Sequence, residues 1–190
     1  EISLGLVGSE MCIRDRKYRC CHLKRFVGGG MRENKQIGGF YMKVLNYGSL
    51  NVDYVYSVDH IIVGGETQHS SKLEVFSGGK GLNQSIALAK AGVTVYHAGI
   101  VGTDGDILLD ACKEAGVNTK YIRRLPVKGG HTMIQVDKNA QNCIILYGGT
   151  NQMQTKEFVD EVLADFGEGD YLILQNEINM LDYICLLYTS

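Results

Sequence analysis

The stretch Ser77-Gly78-Gly79-Lys80-Gly81-Leu82-Asn83-Gln84 holds the densest set of chemically useful groups in the chain. Consecutive glycines let a backbone approach a ligand closely and aim its N–H groups at oxygen atoms. Lys80 adds a cationic donor, and Asn83 a side chain that both donates and accepts. A Walker phosphate loop needs a longer glycine loop ending in Lys-Ser/Thr. A dinucleotide fingerprint needs a further glycine where Leu82, Asn83 and Gln84 stand. The set therefore suits a ligand with several hydroxyls better than a nucleotide phosphate. The plainer alternative is a glycine turn that only starts a helix.

Two other groups carry compatible chemistry. Asn51 and Asp53 in Gly48-Ser49-Leu50-Asn51-Val52-Asp53 are two residues apart, so on extended backbone they point the same way. An ionised aspartate can accept two hydroxyl hydrogen bonds; an Asx turn is the structural alternative. Glu177, in Gln175-Asn176-Glu177, offers a second carboxylate, or an exposed acid at a strand end.

These residues need a scaffold. Residues 43–48 read as a short buried strand ending in glycine, which places Asn51 and Asp53 beyond its carboxyl end, where open α/β sheets bind ligands. Residues 54–63 and 72–76 alternate in part around Gly64-Gly65, as an antiparallel ribbon does. Residues 83–91 have helical spacing with Gly92 as the stop, and 93–99 read as a strand. Asp104 or Asp106 could cap a helix that ends at Gly116. Residues 132–136 and 143–147 flank the hairpin turn 137–140. Phe158, Val159, Val162, Leu163 and Phe166 mark another helix, followed by a strand over 171–175. Strands alternating with helices predict an α/β domain with a parallel sheet, and the two ribbons predict a separate β flap.

The ends of the chain read differently. Residues 10–16 (EMCIRDR) and 185–190 (CLLYTS) are both encoded by one short DNA read from its two strands, and that DNA resembles the transposon mosaic end used in sequencing libraries. Residues 37–42 can be written with AGGAGG, a bacterial ribosome-binding sequence, a suitable distance before the Met42 codon. We therefore expect translation to start at Met42, with Met31 as the other candidate. Residues 1–41 are expected to be adapter-derived and read-through sequence without order, 42–184 the genuine domain, and 185–190 an adapter-derived tail.

This division changes the charge and cysteine arithmetic. From Met42 onward 11 Lys/Arg stand against 17 Asp/Glu, a balance of −6. No basic cluster remains to bind nucleic acid. No run of about 18 apolar residues suggests a membrane span. Four of the six cysteines fall outside, and Cys112 and Cys143 are spaced for neither zinc nor a disulfide framework. Reduced thiols in a cytoplasmic protein are the expectation.

Taken together, GSLNVD at 48–53, GGET at 64–67, GGKGLNQS at 78–85, the AxxGV pattern at 89–93 and VGTDGD at 101–106 resemble the PfkB carbohydrate kinase family, in its ribokinase-like branch. The resemblance runs over about residues 43–184, roughly the N-terminal half of a complete kinase. It implies a ribokinase-like three-layer α/β/α fold with a small β-sheet lid, truncated in the C-terminal half, and ATP-dependent phosphorylation of a sugar hydroxyl with Mg²⁺ and a monovalent cation such as K⁺. It implies that Asn51, Asp53, Gly78, Gly79, Lys80, Asn83 and Glu177 bind the sugar. The ribbons over 54–76 and 132–147 would form the lid and the homodimer contact. The family's catalytic base belongs to a GAGD-type motif near its C-terminus, absent from this chain, as are the family's ATP-binding segments. The resemblance favours ribose, with another pentose, a ketohexose or a nucleoside as alternatives. A non-catalytic sugar-binding module is the reading from outside the enzymes. His131 on the lid is expected to be structural.

Overall fold

The computed structural model describes Lys24, Arg25 and residues 42–189. Its centre is the apolar run that forms strand β2, Val44–Tyr47, buried along its whole length. Strand β5 (Val95–Val101) lies parallel on one side of it and β9 (Tyr171–Leu174) parallel on the other. β6 (Asn118–Arg124) pairs parallel with the far side of β5. β1, the two residues Lys24–Arg25, pairs antiparallel with β9, giving the order β1-β9-β2-β5-β6. Near-continuous hydrophobic strands need cover on both faces, and both are covered.

Alternation along β2 sends Leu45 and Tyr47 to one face, where they pack with Phe158, Val159 and Val162 of α3 (Lys156–Leu163) and Ile184 of α4 (Leu181–Thr189). Val44 faces the other way, into a cluster with Leu82 of α1 (Lys80–Lys90) and Leu108 and Cys112 of α2 (Asp106–Ala115). The result is the three-layer α/β/α arrangement. Among the described residues no helix is long and apolar enough to cross a membrane. Cys112 is buried and Cys143 exposed, and both are free thiols.

The two ribbons form one sheet. β3 (Asn51–Ser57) pairs antiparallel with β4 (Lys72–Gly78), and β7 (Gly130–Val136) antiparallel with β8 (Asn142–Tyr147). Parallel pairing of β3 with β7 joins them in the order β4-β3-β7-β8. This lid sheet leaves Leu73, Val75, Met133 and Ile145 exposed on the face away from Asp53, and Phe76, Ile144 and Leu146 exposed on the Asp53 face.

Several boundaries differ from the sequence reading, each for a local reason. β3 starts at Asn51, three residues early, because the pairing with Gly78 and Gly130 extends the ladder into the polar residues. A loop over 58–71 closes the first ribbon, and Gly64-Gly65 is only a turn within it. α1 starts at Lys80, since Ser49 satisfies its first-turn N–H groups from outside the helix. Neither Asp104 nor Asp106 caps α2. Gly105 holds the cap position, while Asp104 is drawn to the Gly129 N–H at 2.9 Å and the Lys128 ammonium at 2.7 Å.

The sequence reading gave no strand at β6, whose Asn-Thr-Lys-Tyr-Ile-Arg-Arg carries little apolar pattern, as an edge strand can. It likewise omitted the 3₁₀ turn Gly149–Gln152 and α4. Apart from Lys24 and Arg25, the expectation for residues 1–41 lies outside the described residues. α4 runs through the boundary expected at 184/185.

α3 is capped in the ordinary way: Thr155 Oγ1 accepts from the Phe158 N–H at 3.3 Å. Thr155→Ala is expected to cost about 1 kcal/mol of stability, read as a lower urea midpoint at unchanged slope. An unchanged midpoint removes the cap from the energetics.

Candidate functional site

The site lies where β2, β3 and β9 meet the start of α1. After Tyr47 the chain crosses over the N-terminal turn of that helix. Ser49 does there what a capping residue normally does. Its Oγ accepts from the Gly81 N–H at 3.3 Å and its carbonyl accepts from the Leu82 N–H at 3.0 Å. The same hydroxyl donates to Glu177 Oε2 at 2.8 Å. Glu177 Oε1 forms an ion pair with the Lys80 ammonium. Gln175, at the end of β9, accepts through one oxygen from the Ser49 N–H (3.2 Å) and the Glu177 N–H (3.1 Å). Thus the β9 end, the crossing loop and the helix start are tied into one unit.

Asp53 sits on the neighbouring lid strand. Its Oδ1 accepts from Thr132 Oγ1 at 2.6 Å, across the parallel β3–β7 pair. Its Oδ2 lies against Gly78, where any Cβ would collide with the carboxylate. Gly79 has φ +99°, a conformation that favours glycine, and turns the chain from β4 into α1. Burial pushes the Asp53 carboxyl above its ordinary value; the Thr132 hydroxyl pulls it back in part, and the charge of Glu177 pushes it up again.

Asn51 is 2% exposed, and its Oδ1 accepts from Asn151 Nδ2 at 2.7 Å. Asn151 in turn grips the Leu50 backbone, accepting from its N–H at 2.9 Å and donating to its carbonyl at 3.2 Å.

Six of the seven residues expected to form a site are therefore brought together: Asn51, Asp53, Gly78, Gly79, Lys80 and Glu177. Asn83 is exposed three residues beyond Lys80 on the same side of α1, with no side-chain bond to the other six among the described residues. The sequence reading missed Ser49, Thr132, Asn151 and Gln175 as supporting residues. Ser49 and Gln175 lay within quoted motifs, but Thr132 and Asn151 are about 80 and 100 residues from their partners. His131, expected to be structural, lies on the other side of the lid sheet from Asp53. It bonds the Gly129 carbonyl at 3.1 Å, and its ring stands edge-on to Tyr54 and tilted against Tyr147.

A carboxylate with one oxygen unbonded among the described residues, a positioned ammonium–carboxylate pair and a glycine-lined backbone at strand ends are groups chemically suited to hydroxyls. Residues 42–188 match the pfkB family of carbohydrate kinases. The chain belongs to that family. It is 36% identical to the ribokinase of Staphylococcus aureus over 140 residues, which cover 72% of this chain and 46% of that protein. The structure of Thermotoga maritima ribokinase superposes with a TM-score of 0.64 at 35% identity, over 73% of this chain and 46% of that one. An ADP complex of ribokinase from Cryptococcus neoformans superposes at 0.65 with 31% identity, over 77% and 44%. The chain thus spans about half the length of the relatives it matches. Among the described residues there is no grouping of three or more His, Cys, Asp or Glu side chains fit to hold a metal ion.

The raised Asp53 carboxyl makes a prediction about stability. The folded state holds this proton more tightly than the unfolded chain does, so the group opposes folding once pH exceeds its ordinary value of 3.8. Asp53→Asn is expected to raise Tm at pH 7, with the gain shrinking to nothing as pH falls below about 4. A pH-independent difference, or a lower Tm at pH 7, contradicts the shift.

Proposed function

We propose that the protein to which this chain belongs is an ATP-dependent sugar kinase that phosphorylates ribose, and that residues 42–188 supply its sugar-binding half. The observation that carries this reading is the convergence of Asp53, the Lys80–Glu177 pair and the Gly78-Gly79 backbone at the strand ends, in a chain 36% identical to a ribokinase. In it, Asp53 accepts from sugar hydroxyls through its free oxygen and Asn51 donates through its amide. Lys80 and Glu177 exchange part of their mutual contact for hydroxyls, and Asn83 reaches the sugar from the first turn of α1. Gly78 and Gly79 let the ring lie against the backbone.

ATP with its Mg²⁺ supplies the phosphoryl group and neutralises charge developing on it; K⁺ is the monovalent ion the resemblance implies. The relative that binds ADP supports the nucleotide's identity. The lid sheet closes over the sugar and excludes water, which favours transfer to the sugar over hydrolysis. A second copy of the protein covers the exposed apolar residues of the lid. The sugar is taken up from the cytoplasm, without nucleic acid or membrane as a partner.

Three outcomes are expected. In the full-length protein, ribose is phosphorylated faster than 2-deoxyribose, fructose or adenosine at equal concentration; a clear preference for another of these reassigns the substrate. Lys80→Met raises the sugar KM on the order of 100-fold while the ATP KM stays within about twofold, as expected for lost charge-assisted bonds to one substrate. The reverse pattern returns the glycine-rich stretch to a phosphate role. The 190-residue chain alone turns over no ATP with ribose, because the general base lies in the other half; turnover by the chain alone overturns that assignment.

A further inference from the structure

Beneath the crossing of the Ser49 loop over α1 lie three polar side chains, Asn46, Ser85 and His97, each with 0% exposure. Among the described residues, none is hydrogen-bonded to Asn51, Asp53, Lys80 or Glu177. His97 Nε2 is 3.2 Å from the Gly48 carbonyl, and its Nδ1 is 2.8 Å from Ser85 Oγ. Asn46 Nδ2 is 2.8 Å from the same Ser85 oxygen and 2.7 Å from the Gly81 carbonyl.

The direction of every bond follows from one fixed point. A carbonyl only accepts, so the Gly48 oxygen requires the imidazole proton on Nε2. Nδ1 of the neutral ring is then an acceptor, so the Ser85 hydroxyl donates to it. The Ser85 oxygen is thereby free to accept from Asn46, whose other amide hydrogen goes to Gly81. Burial keeps the ring neutral, with the pKa pulled down to about 4. The chain of bonds begins on one glycine carbonyl and ends on the other.

Those two glycines are where the backbones cross. A Cβ on Gly48 would stand 2.7 Å from the Gly81 Cα, so neither glycine can carry a side chain of its own at the crossing. The Gly48–Ser49 peptide is instead held on its carbonyl side by His97 and on its N–H side by Gln175. Rotation of that peptide would carry the Ser49 hydroxyl, and with it Glu177 and Lys80. Asn46 Oδ1 has no hydrogen-bond partner among the described residues, a cost that packing alone does not require.

We propose that Asn46, Ser85 and His97 are positioning residues for the substrate site: a tautomer-locked network that fixes the Gly48–Ser49 peptide and the first turn of α1, and so presets the Lys80–Glu177 pair. The activity arm of its test rests on the sugar-kinase reading; two other arms do not.

In the full-length protein labelled with ¹⁵N-histidine, the network requires one imidazole to be the neutral Nε2–H tautomer from pH 6 to 8 and to lose that signal in His97→Gln. An Nδ1–H or charged ring overturns it. In Ser85→Ala, amide exchange at Ser49 and Leu82 should quicken roughly tenfold relative to β2 amides, the effect of about one lost net hydrogen bond. Uniform quickening across the sheet means a merely structural role. In the activity arm, Ser85→Ala and His97→Leu raise the sugar KM roughly tenfold with the ATP KM unchanged, since only sugar contacts depend on the preset pair. His97→Gln, which offers one acceptor and one donor, recovers most of that loss. If His97→Leu does not fold, Ser85→Ala carries the test. Folded variants with an unchanged sugar KM overturn the proposal. Absence of sugar phosphorylation in the unaltered protein counts against the kinase reading, while the tautomer and exchange results still decide the network.

Discussion

The structure turns on one contact, the Ser49 loop laid over the first turn of α1. A helix start leaves backbone N–H groups without partners, and here the loop supplies them: Ser49 Oγ to Gly81 and the Ser49 carbonyl to Leu82. The approach is possible because Gly48 and Gly81 both lack side chains. Ser49 has a second duty, donating to Glu177. Capping the helix and orienting the site are therefore a single set of bonds. A substitution there cannot disturb one without the other.

The lid is coupled to this contact through strand pairing. β3 leaves the crossing directly and carries Asn51 and Asp53, while β4 returns to it as Gly78-Gly79 and becomes α1. β7 lies beside β3 and brings Thr132 to the Asp53 carboxylate. Asp53 is consequently a lid residue and a site residue together, and burying it there raises its affinity for a proton. A less buried aspartate would be easier to keep ionised, because water would solvate its charge.

Much of the scaffold was legible because its strands and helices announce themselves by period. Val44–Tyr47 and Tyr171–Leu174 are short apolar runs ending at turn residues, and Gly92 and Gly116 close the two helices of one face. The boundaries shifted where long-range partners replaced local signals. Lys80 joined α1 because Ser49 capped it, and Asp104 failed to cap α2 because Lys128 and Gly129 engaged it. β6 was invisible because an edge strand with Lys120, Arg123 and Arg124 has no hydrophobic alternation to read.

The sequence by itself determined the chemical types of the site and the local geometry near each: the glycine pair, the lysine at a helix start, two polar side chains on one side of a strand. Spacing of a few residues fixes such local relations. Only the tertiary structure decided which groups hold one another. The Lys80–Glu177 pair spans 97 residues, the Asp53–Thr132 bond 79 and the Asn51–Asn151 bond 100. Such pairings depend on strand order and on the parallel β3–β7 register, which no local pattern encodes. The buried His97 follows the same rule: in the sequence it is one histidine within a strand, and its tautomer and task arise only when Gly48 and Ser85 fold around it.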